Sequence, residues 1–517
     1  MAETKREIER KYEATGETPL PDLTRVAGVA EVADDGVMEL DAVYYDTPDL
    51  RLAADAVTLR RRTGGSDAGW HVKFPVAAGI RDEIRAPLSD TLPDELAGLL
   101  RSRVRHAEIV PVVRLRSSRD VRHLLDADGT LLAELSVDTV HAERLPGGGE
   151  ASWTEIEVEL ADGVDDESLL DAIGKRLKKA GIVPSEAPSK LARALAETAP
   201  PPESPGAVPA TRRETPLAPA ERPGTAGAAV LAYVREQAGA IVALDPAVRR
   251  DLPDAVHQMR VACRRMRSAF KTYRKVLDRT VTDPVGDELK WLAGELGLAR
   301  DQEVLDARLR ARLADLPPTL TLGPVEARLR RRDAALAEDA RRQVLEALDS
   351  DRHLALLDTL HALLADPPLR EAARRDARTV LAKAVRKDHD RLGGRIEHAL
   401  ALDPGHERDL ALHEARKAAK RARYAADAAR PTLGKPAKKL GKRVKAVQSL
   451  LGEHQDSVVA RAALREFAIQ SYGAGESAFT WGLLYGREEA AAAATERELP
   501  GVWARASAPE IRAALSR

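Results

Sequence analysis

The first half of the chain repeats one pattern, in which charged side chains stand two positions apart. The pattern appears first in EIERK, as Glu7, Glu9 and Lys11, and it recurs in six further segments. Paired carboxylates can hold a divalent cation, and rows of Arg and Lys can bind the oxygens of successive phosphates. These residue types therefore predict phosphoryl chemistry on a substrate that carries several phosphates.

A period of two residues is the period of a β-strand, so the charges of each segment share one face. The opposite faces are apolar and include Leu59, Val72 and Ile156. For a single strand, the simplest interpretation packs the apolar face on a core and leaves the charges in water. Repetition over seven segments favours a closed sheet with the charges inside, because burying so many charges without a ligand is costly. Apolar residues at helical spacing within 166–182 predict a helix that covers this sheet from outside.

Two segments of this half resemble the CYTH family of triphosphate tunnel metalloenzymes. EIERK at residues 7–11 looks like the ExExK signature of that family, and YYDTPDLRL at residues 44–52 looks like its second characteristic segment. The basic and acidic strands and Ser189-Lys190 follow in the family's order, so the resemblance covers residues 3–197. It implies an antiparallel eight-stranded β tunnel with covering helices, an α+β fold that binds a triphosphate together with Mg²⁺ or Mn²⁺.

The resemblance also implies roles for individual side chains. The candidates for catalysis are Glu7, Glu9, Lys11 and Lys73. The candidates for binding the phosphates are Arg60, Arg62, Arg85, Arg116 and Lys190. The candidates for holding the metal are Glu7, Glu9, Asp138, Glu155, Glu157 and Glu159, although Asp138 could instead only fix an arginine.

The chemistry expected of such a tunnel is hydrolysis of a phosphoric anhydride. Arginines and a metal ion placed on the transferred phosphoryl group lower the barrier, and a carboxylate orients the attacking water. The family also contains adenylate cyclases and thiamine triphosphatases, but they need a pocket for an organic group, and aromatic residues are few here. The favoured function is hydrolysis of inorganic triphosphate or short polyphosphate. The alternatives are a non-catalytic protein that binds, targets or senses polyphosphate, and an enzyme of the cyclase or thiamine triphosphatase type.

The second half of the chain contains an internal repeat of a basic helix. A histidine leads four basic residues at offsets of 3, 7, 8 and 10 positions, and the arrangement recurs 156 residues later. The two copies are His257, Arg260, Arg264, Arg265 and Arg267, and then His413, Arg416, Lys420, Arg421 and Arg423. LGLARD and LGEHQD follow the two copies at nearly equal distances, which indicates a duplication.

Each copy predicts an amphipathic helix with a cationic ridge. For one helix, a solvated basic face is the simpler interpretation, but a solvated face need not keep its register through a duplication. The repeat therefore favours two ridges that meet in a groove for a long polyanion. Nucleic acid is a rival ligand, yet aromatic residues that could stack on bases are scarce, and a chain of phosphates needs only charge.

VHQMRVACRRMRSAF and LHEARKAAKRARY resemble the two histidine-led helices of the CHAD domain, the conserved histidine α-helical domain, over residues 226–510. The resemblance implies an all-α, two-lobed helical-bundle domain with internal pseudo-symmetry whose basic centre binds inorganic polyphosphate. The candidates for this binding are His257, Arg260, Arg264, Arg265, Arg267, His413, Arg416, Lys417, Lys420, Arg421, Arg423, Lys438, Lys442, Lys445 and His454.

A proline-rich segment separates the two halves. Eight prolines stand between Pro200 and Pro223, which predicts a semi-extended linker at 200–225 between a tunnel domain at 1–199 and a helical domain at 226–517. Charge divides at the same place, with 26 basic against 38 acidic residues in 1–199 and 55 against 44 in 200–517. This division favours a metal-using first domain and an anion-binding second one.

Composition narrows the setting in which the protein works. Cys263 is the only cysteine, which excludes an internal disulfide and cysteine-based zinc or iron–sulfur sites. No apolar run is expected to reach the roughly 18 residues that a membrane-spanning helix needs, and the first residues lack the apolar stretch of a secretory signal. We therefore expect a cytoplasmic protein without membrane contact, and homo-oligomerisation is compatible with the sequence.

Overall fold

The computed structural model describes residues 3–15, 18–199 and 220–515, without the side chains of residues 298–300, 335 and 337. The chain forms two compact units, Met1–Arg213 and Glu214–Arg517. Most of the predicted linker, residues 200–219, lies outside the described residues, so the domain limits at 199 and 226 stay predictions.

The first unit is a closed β-barrel. In its described residues, eight antiparallel strands pair in the order β1-β5-β4-β3-β2-β6-β7-β8 and close on themselves. The strands are β1 (Glu3–Ala14), β2 (Glu31–Asp46), β3 (Thr58–Thr63), β4 (Gly69–Ala77), β5 (Ile80–Pro87), β6 (Val110–Leu125), β7 (Leu131–Arg144) and β8 (Glu150–Leu160). This architecture confirms the predicted eight-stranded antiparallel fold.

Helices cover the outside of the barrel where the strands turn apolar residues outward. The helices of the first unit are α1 (Arg51–Ala54), α2 (Asp94–Val104), α3 (Glu167–Lys179) and α4 (Lys190–Glu197), of which α2 and α3 cover the outside. α3 begins after Asp166, whose carboxylate accepts a hydrogen bond from the Ser168 backbone N–H. Ile173 of α3 is buried in one apolar cluster with Ile156 and Val158 of β8, and α2 covers β3, β4 and β5 in another. The helix predicted within 166–182 is therefore present and covers the sheet.

An apolar cluster occupies the interior at one end of the barrel. Leu191 and Ala194 of α4 pack there against Ala42, Val140 and Trp153 from three strands. The Ser189 hydroxyl accepts a hydrogen bond from the Ala192 backbone N–H and so fixes the start of α4. The polar part of the interior is thus a pocket that is closed at one end. The sequence predicts a tunnel instead.

The second unit is built from helices in its described residues. They are α5 (Ala226–Arg249), α6 (Ala255–Thr272), α7 (Arg279–Ala314), α8 (Val325–Asp349), α9 (Asp351–Ala365), α10 (Ala377–Ala401), α11 (His406–Leu433), α12 (Lys435–Gly473), α13 (Phe479–Ala506) and α14 (Pro509–Ala514). Short 3₁₀ turns lie at Leu23–Arg25 in the first unit and at Pro318–Leu320 and Glu371–Arg374 in the second.

The helices of this unit follow the predicted duplication, since α5 to α9 correspond in order to α10 to α14. The starts of α5 and α10 exchange backbone hydrogen bonds, with Ala226 N–H donating to Arg375 O and Ala377 N–H to Gly224 O, both at 2.9 Å. The two histidine-led helices also touch, because the Tyr273 hydroxyl after α6 donates to Ala425 O of α11 at 3.1 Å. Such reciprocal contacts are typical of two copies related by a pseudo-two-fold axis.

In the described part of the chain, one helix is long and apolar enough to cross a membrane by length and composition. It is α5, with a mean hydropathy of 1.2 over 18 residues. The expectation that no apolar segment is long enough to cross a membrane is therefore wrong for this helix. Of that window 44% is buried, and Val230, Leu231 and Val234 belong to the core of the helical unit. A core helix passes the same test.

Candidate functional site

The barrel encloses a polar cavity of about 230 Å³. Among the described residues that line it, nine are basic and six are acidic, so its surface is net positive. The charged lining residues are Lys5, Glu7, Glu9, Lys11, Arg60, Arg62, Asp67, Lys73, Arg81, Arg85, Arg119, Glu134, Glu157, Glu159 and Lys190. Such a surface suits a small polyanion better than a neutral ligand.

Most of the barrel residues singled out from the sequence meet in this cavity. Those at its surface are Glu7, Glu9, Lys11, Arg60, Arg62, Lys73, Arg85, Glu157, Glu159 and Lys190. Asp138 and Glu155 are buried directly behind that surface and contact Lys190. The pleat explains this convergence, because residues two apart on each strand point into the closed barrel.

Arg116 is the exception, because its side chain lies outside the cavity. The prediction that it binds phosphate there is therefore wrong. Its side chain is about half exposed and lies 3.9 Å from Glu143 on the outside of the sheet. The inward residue of β6 is Arg119, which pairs in register with Asp138 of β7. Arg114 and Arg116 stand an odd number of residues from Arg119, so the pleat turns them outward.

One half of the cavity wall is organised around Glu83, whose carboxylate is fully buried. It contacts Lys73 at 3.4 Å and Arg60 at 3.3 Å, and it accepts a hydrogen bond from Arg85. Burial alone would raise the pKa of Glu83, but Lys73, His71 and Arg60 outweigh burial and hold this pKa well below its usual range. Glu83 therefore stays ionised and holds three basic residues of this wall, Lys73, Arg60 and Arg85, in place.

Glu7 lies beside this group and behaves in the opposite way. Both of its oxygens accept hydrogen bonds from Lys73, at 2.8 and 2.6 Å. Burial raises the pKa of Glu7, Lys73 opposes that effect, and the negative charges of Glu83 and Glu159 add to it, so the pKa stays above its usual value. Glu7 is thus a pocket carboxylate that accepts a proton more readily than an ordinary glutamate does.

The other half of the wall is a group of three carboxylates around Lys190. The Lys190 ammonium lies 2.9 Å from Asp138, 2.8 Å from Glu155 and 2.6 Å from Glu157. Burial would lower the pKa of Lys190, but these carboxylates raise it above its usual value. The Arg119 guanidinium donates to Asp138 and to Glu157, each through bonds of 2.7 to 2.8 Å.

The three carboxylates around Lys190 have the arrangement of a site for a divalent cation. Oxygens of Asp138, Glu155 and Glu157 lie within 4.8 Å of one another, all three are buried, and they already converge on a positive charge, the Lys190 ammonium. Three hard oxygen ligands at this separation match the donor set that Mg²⁺ and Mn²⁺ prefer. The residues therefore fit the predicted metal.

Several cavity residues were not among the predicted site residues. Glu83 stands between Arg81 and Arg85 in RDEIR, one of the segments whose charges are two positions apart, and Arg119 is identified by its register with Asp138. Tyr44 lies in the recognised YYDTPDLRL segment and hydrogen-bonds Arg60. No sequence signal marks Asp67, because it stands in a turn outside the alternating pattern.

In the helical unit, an arginine from each copy lies across a glycine and pairs with an aspartate. Arg260 of α6 donates to both oxygens of Asp301, at 2.8 and 3.0 Å, and its guanidinium covers Gly297. A Cβ on Gly297 would lie 2.9 Å from that guanidinium. Arg416 of α11 repeats the arrangement over Gly452, 3.9 Å from Asp456. The glycine and the aspartate that LGLARD and LGEHQD share therefore position one arginine in each copy.

The cations of the two copies meet at Lys420. This largely buried side chain of α11 faces Arg416 of its own helix together with Arg264 and Arg260 of α6. Burial and then these three positive charges lower the pKa of Lys420 to about 7, against the opposing effect of Asp301. The Nε groups of Arg264 and Arg416 are buried and lack a hydrogen-bond partner within the described part of the chain. A dense, unneutralised group of cations of this kind suits an anionic ligand.

The remaining candidates of this unit are distributed around that group. His257 is partly buried near the start of α6, and His413 hydrogen-bonds Gln455 through Nδ1 at 2.6 Å. The guanidinium carbons of Arg265 and Arg423 lie 5.9 and 5.6 Å from the centre of the Tyr424 ring, and Arg267 is partly buried. Two further candidates form ion pairs within the protein, Arg421 with Asp388 and Lys417 with Glu414. The side chains of Lys438, Lys442 and Lys445 are exposed to solvent.

His454 does not belong to the basic group, so its predicted role in binding polyphosphate is wrong. It is buried, and its Nε2 lies 3.3 Å from Asp409 and 3.2 Å from Glu496. Arg461 and Arg408 neutralise these carboxylates in turn. The surroundings of His454 are therefore acidic and already paired, which excludes a phosphate chain there.

Comparisons with known proteins match the two units separately. The CYTH domain matches residues 5–195, and the CHAD domain matches residues 232–465.

Relatives and solved structures are similar to this chain over different spans. "Uncharacterized protein Rv2226" of Mycobacterium tuberculosis (strain ATCC 25618 / H37Rv) is 39% identical over 508 residues, which are 93% of this chain and 92% of that protein. Among solved structures, PptA from Streptomyces chartreusis is 24% identical over 54% of this chain and 99% of its own, with a TM-score of 0.46. The CHAD domain from the plant Ricinus communis is 27% identical over 55% of this chain and 92% of its own, with a TM-score of 0.44.

Proposed function

Because the chain belongs to the family of proteins that join a CYTH domain to a CHAD domain, we propose that its barrel hydrolyses inorganic triphosphate or short polyphosphate with Mg²⁺ or Mn²⁺. CYTH domains include triphosphatases and adenylate cyclases and depend on metal. We propose further that the helical unit binds polyphosphate, which would concentrate the substrate near the enzyme.

The observation that carries the first proposal is the cavity inside the barrel, where basic side chains outnumber acidic ones and three buried carboxylates converge on one cation. Fixed positive groups in a water-poor site stabilise charge that develops on transferred phosphoryl oxygens, and they need no reorganisation during the reaction. A substrate without a nucleoside or thiamine group fits best, because Tyr44 is the single aromatic residue among the described lining residues.

The residues of the chain divide the work by position. Arg60, Lys73 and Arg85, held by Glu83, would bind and orient the phosphates along one wall. Arg119 and Lys190 would do so along the other wall. Glu7, whose pKa is raised by burial, would take a proton from the attacking water.

Asp138, Glu155 and Glu157 would hold the metal, on the fit described above. A bound Mg²⁺ or Mn²⁺ supplies Lewis-acid stabilisation of the phosphate oxygens and of the leaving group. Lys190, whose ammonium these carboxylates now share, would then be available to the substrate.

The second proposal is supported by the cation group around Lys420. Arg260 and Arg264 from one copy and Arg416 and Lys420 from the other lie together in it, with two buried donor groups that lack a partner in the described residues. A polyphosphate chain offers closely spaced oxygens along its whole length, so one chain could contact both copies at once.

Incubating the purified full-length protein with tripolyphosphate, ATP and thiamine triphosphate, each with Mg²⁺, with Mn²⁺ and with a chelator, tests the first proposal. We expect phosphate release from tripolyphosphate that depends on metal and exceeds release from both organic substrates. A preference for ATP or thiamine triphosphate would assign the barrel to the organic branch of the family. No release from any substrate would contradict a hydrolase.

A further inference from the structure

The turn between β3 and β4 carries an acidic residue into the charged cavity of the barrel. Asp67 and Ser66 of this turn belong to the cavity lining. The Asp67 carboxylate forms an ion pair with Arg62 and lies 4.0 Å from the guanidinium of Arg85. Arg85, which the proposed function assigns to the substrate, and Arg62, which the sequence predicts to bind phosphate, thus both lie beside an anion of the protein itself.

The turn is shaped so that Asp67 reaches this position. Gly64 and Gly65 have φ angles of +81° and +70°, which favour glycine. A Cβ on Gly64 would lie 2.2 Å from the Glu39 carbonyl oxygen, so no other residue fits there without a shift of the backbone. His71 then fixes the turn, because its Nε2 lies 2.9 Å from the Asp67 carbonyl oxygen while its Nδ1 contacts Glu83. The carboxylate is therefore held by two glycines and a buried histidine.

The position of the turn gives Asp67 a consequence for the length of the substrate. The end of the barrel interior where α4 packs is filled by apolar side chains, among them Leu191 and Ala194. Asp67 lies at the other end, where β3 finishes and β4 begins. A phosphate chain longer than the cavity cannot extend past α4, so its extra phosphates must lie beside the Asp67 carboxylate and compete with it for Arg62 and Arg85. Like charges at this distance repel, which disfavours the longer chain.

We propose that Asp67 is a specificity-determining residue, an internal anion at the mouth of the barrel that selects short phosphate chains over long ones. The proposal rests on the proposed hydrolysis in the barrel. It assigns the chain-length limit to one side chain that takes no part in binding the metal.

The test compares Asp67→Asn with Asp90→Asn in the full-length protein. Asp90 is the matched control, because it lies beside the neighbouring Arg61, at 3.7 Å, but is fully exposed on the outside of the barrel. The measurement is the ratio of kcat/KM for long-chain polyphosphate to kcat/KM for tripolyphosphate. We expect Asp67→Asn to raise this ratio by about tenfold, as removal of one repulsive charge does, and Asp90→Asn to leave it unchanged. The helical unit is the same in both variants, so its own binding of long chains cancels.

A ratio that stays within about twofold of the wild-type value in a folded Asp67→Asn protein would overturn the proposal. Asp67→Ser provides a second variant if Asp67→Asn fails to fold, as judged by thermal unfolding. If the wild-type protein hydrolyses neither anion, the proposed hydrolysis fails, and the ratio is then taken from dissociation constants measured by calorimetry in proteins that also carry Arg264→Glu and Lys420→Glu, which disable the cation group of the helical unit. An unchanged ratio of dissociation constants overturns the role of Asp67, and a raised ratio supports it as a selector of bound anions.

Discussion

Polyphosphate binding by the helical unit should be coupled to proton uptake by Lys420. The groups that face this lysine are Arg416, Arg264, Arg260 and Asp301, and burial together with the three arginines lowers its pKa to about 7. A phosphate chain placed among these cations would restore the charged form, because an anion stabilises the ammonium. The bound state therefore carries a proton that the free state partly lacks.

The magnitude follows from the pKa. At pH 8 about nine-tenths of the free Lys420 side chains are neutral, so binding should take up roughly 0.9 proton at this site, against roughly half a proton at pH 7. The affinity should fall about fivefold from pH 7 to pH 8 and about tenfold more by pH 9. The stability of the free protein has the opposite dependence on pH. The unfolded chain binds the proton that folded Lys420 releases between pH 7 and pH 10.5, so this site favours the folded state as the pH rises through that range.

Calorimetric titration with long-chain polyphosphate, in buffers of different ionisation enthalpy at pH 8, measures the proton uptake directly. Lys420→Arg is the matched control, because arginine keeps the positive charge and does not titrate in this range. We expect the variant to bind with the proton uptake reduced by nearly one, while any contribution of His257 and His413 remains. Equal uptake in wild type and Lys420→Arg would refute the account of a neutralised lysine at the centre of the site.

Three further predictions concern other parts of the molecule. Arg119→Lys should lower kcat/KM for tripolyphosphate by about a hundredfold, because Arg119 lies in the cavity, whereas Arg116→Lys on the outside should change it less than twofold. Gly297→Ala should weaken polyphosphate binding more than Gly452→Ala in a direct binding titration, because the new Cβ would lie 2.9 Å from the guanidinium of Arg260 in the first case and 3.6 Å from that of Arg416 in the second. Ile173→Ala should lower the free energy of unfolding of the barrel by about 2 to 5 kcal/mol in a denaturant titration, since this fully buried side chain joins α3 to the sheet; a loss below about 0.5 kcal/mol would contradict that packing.

The barrel could be predicted from the sequence because its two faces differ so clearly. Glu155, Glu157 and Glu159 point inward and Ile156 and Val158 outward, as a strict period of two requires. The two-residue period does not show which face of a strand points into the barrel, and at β6 the prediction of the inward face was wrong. The resemblance assigns Arg116 of β6 to the phosphates, but pairing with β7 places Arg119 inside the barrel. That choice depends on register, which neighbouring strands fix and a single strand does not show.

Contacts between distant segments account for what else was missed. The closure of one end of the barrel depends on Leu191 of α4 reaching Ala42 of β2, which no local pattern indicates. His454 stands in a motif that matched the duplication, yet the acidic residues around it come from α11 and α13. The Gly297 and Asp301 match was informative for the opposite reason, since one residue makes room for Arg260 and the other holds it.

If triphosphate is hydrolysed in the basic interior of the barrel, substitutions at two adjacent arginines of β3 should differ sharply in their effect on the reaction. Arg60 lines the cavity, whereas Arg61 points outward and donates to the Ser89 carbonyl oxygen at 2.9 Å. The measurement is the rate of phosphate release from tripolyphosphate by Arg60→Ala and Arg61→Ala in the presence of metal. We expect a loss of about a hundredfold or more for Arg60→Ala and a change within about threefold for Arg61→Ala. Equal rates for the two variants, with both folded, would show that hydrolysis takes place elsewhere.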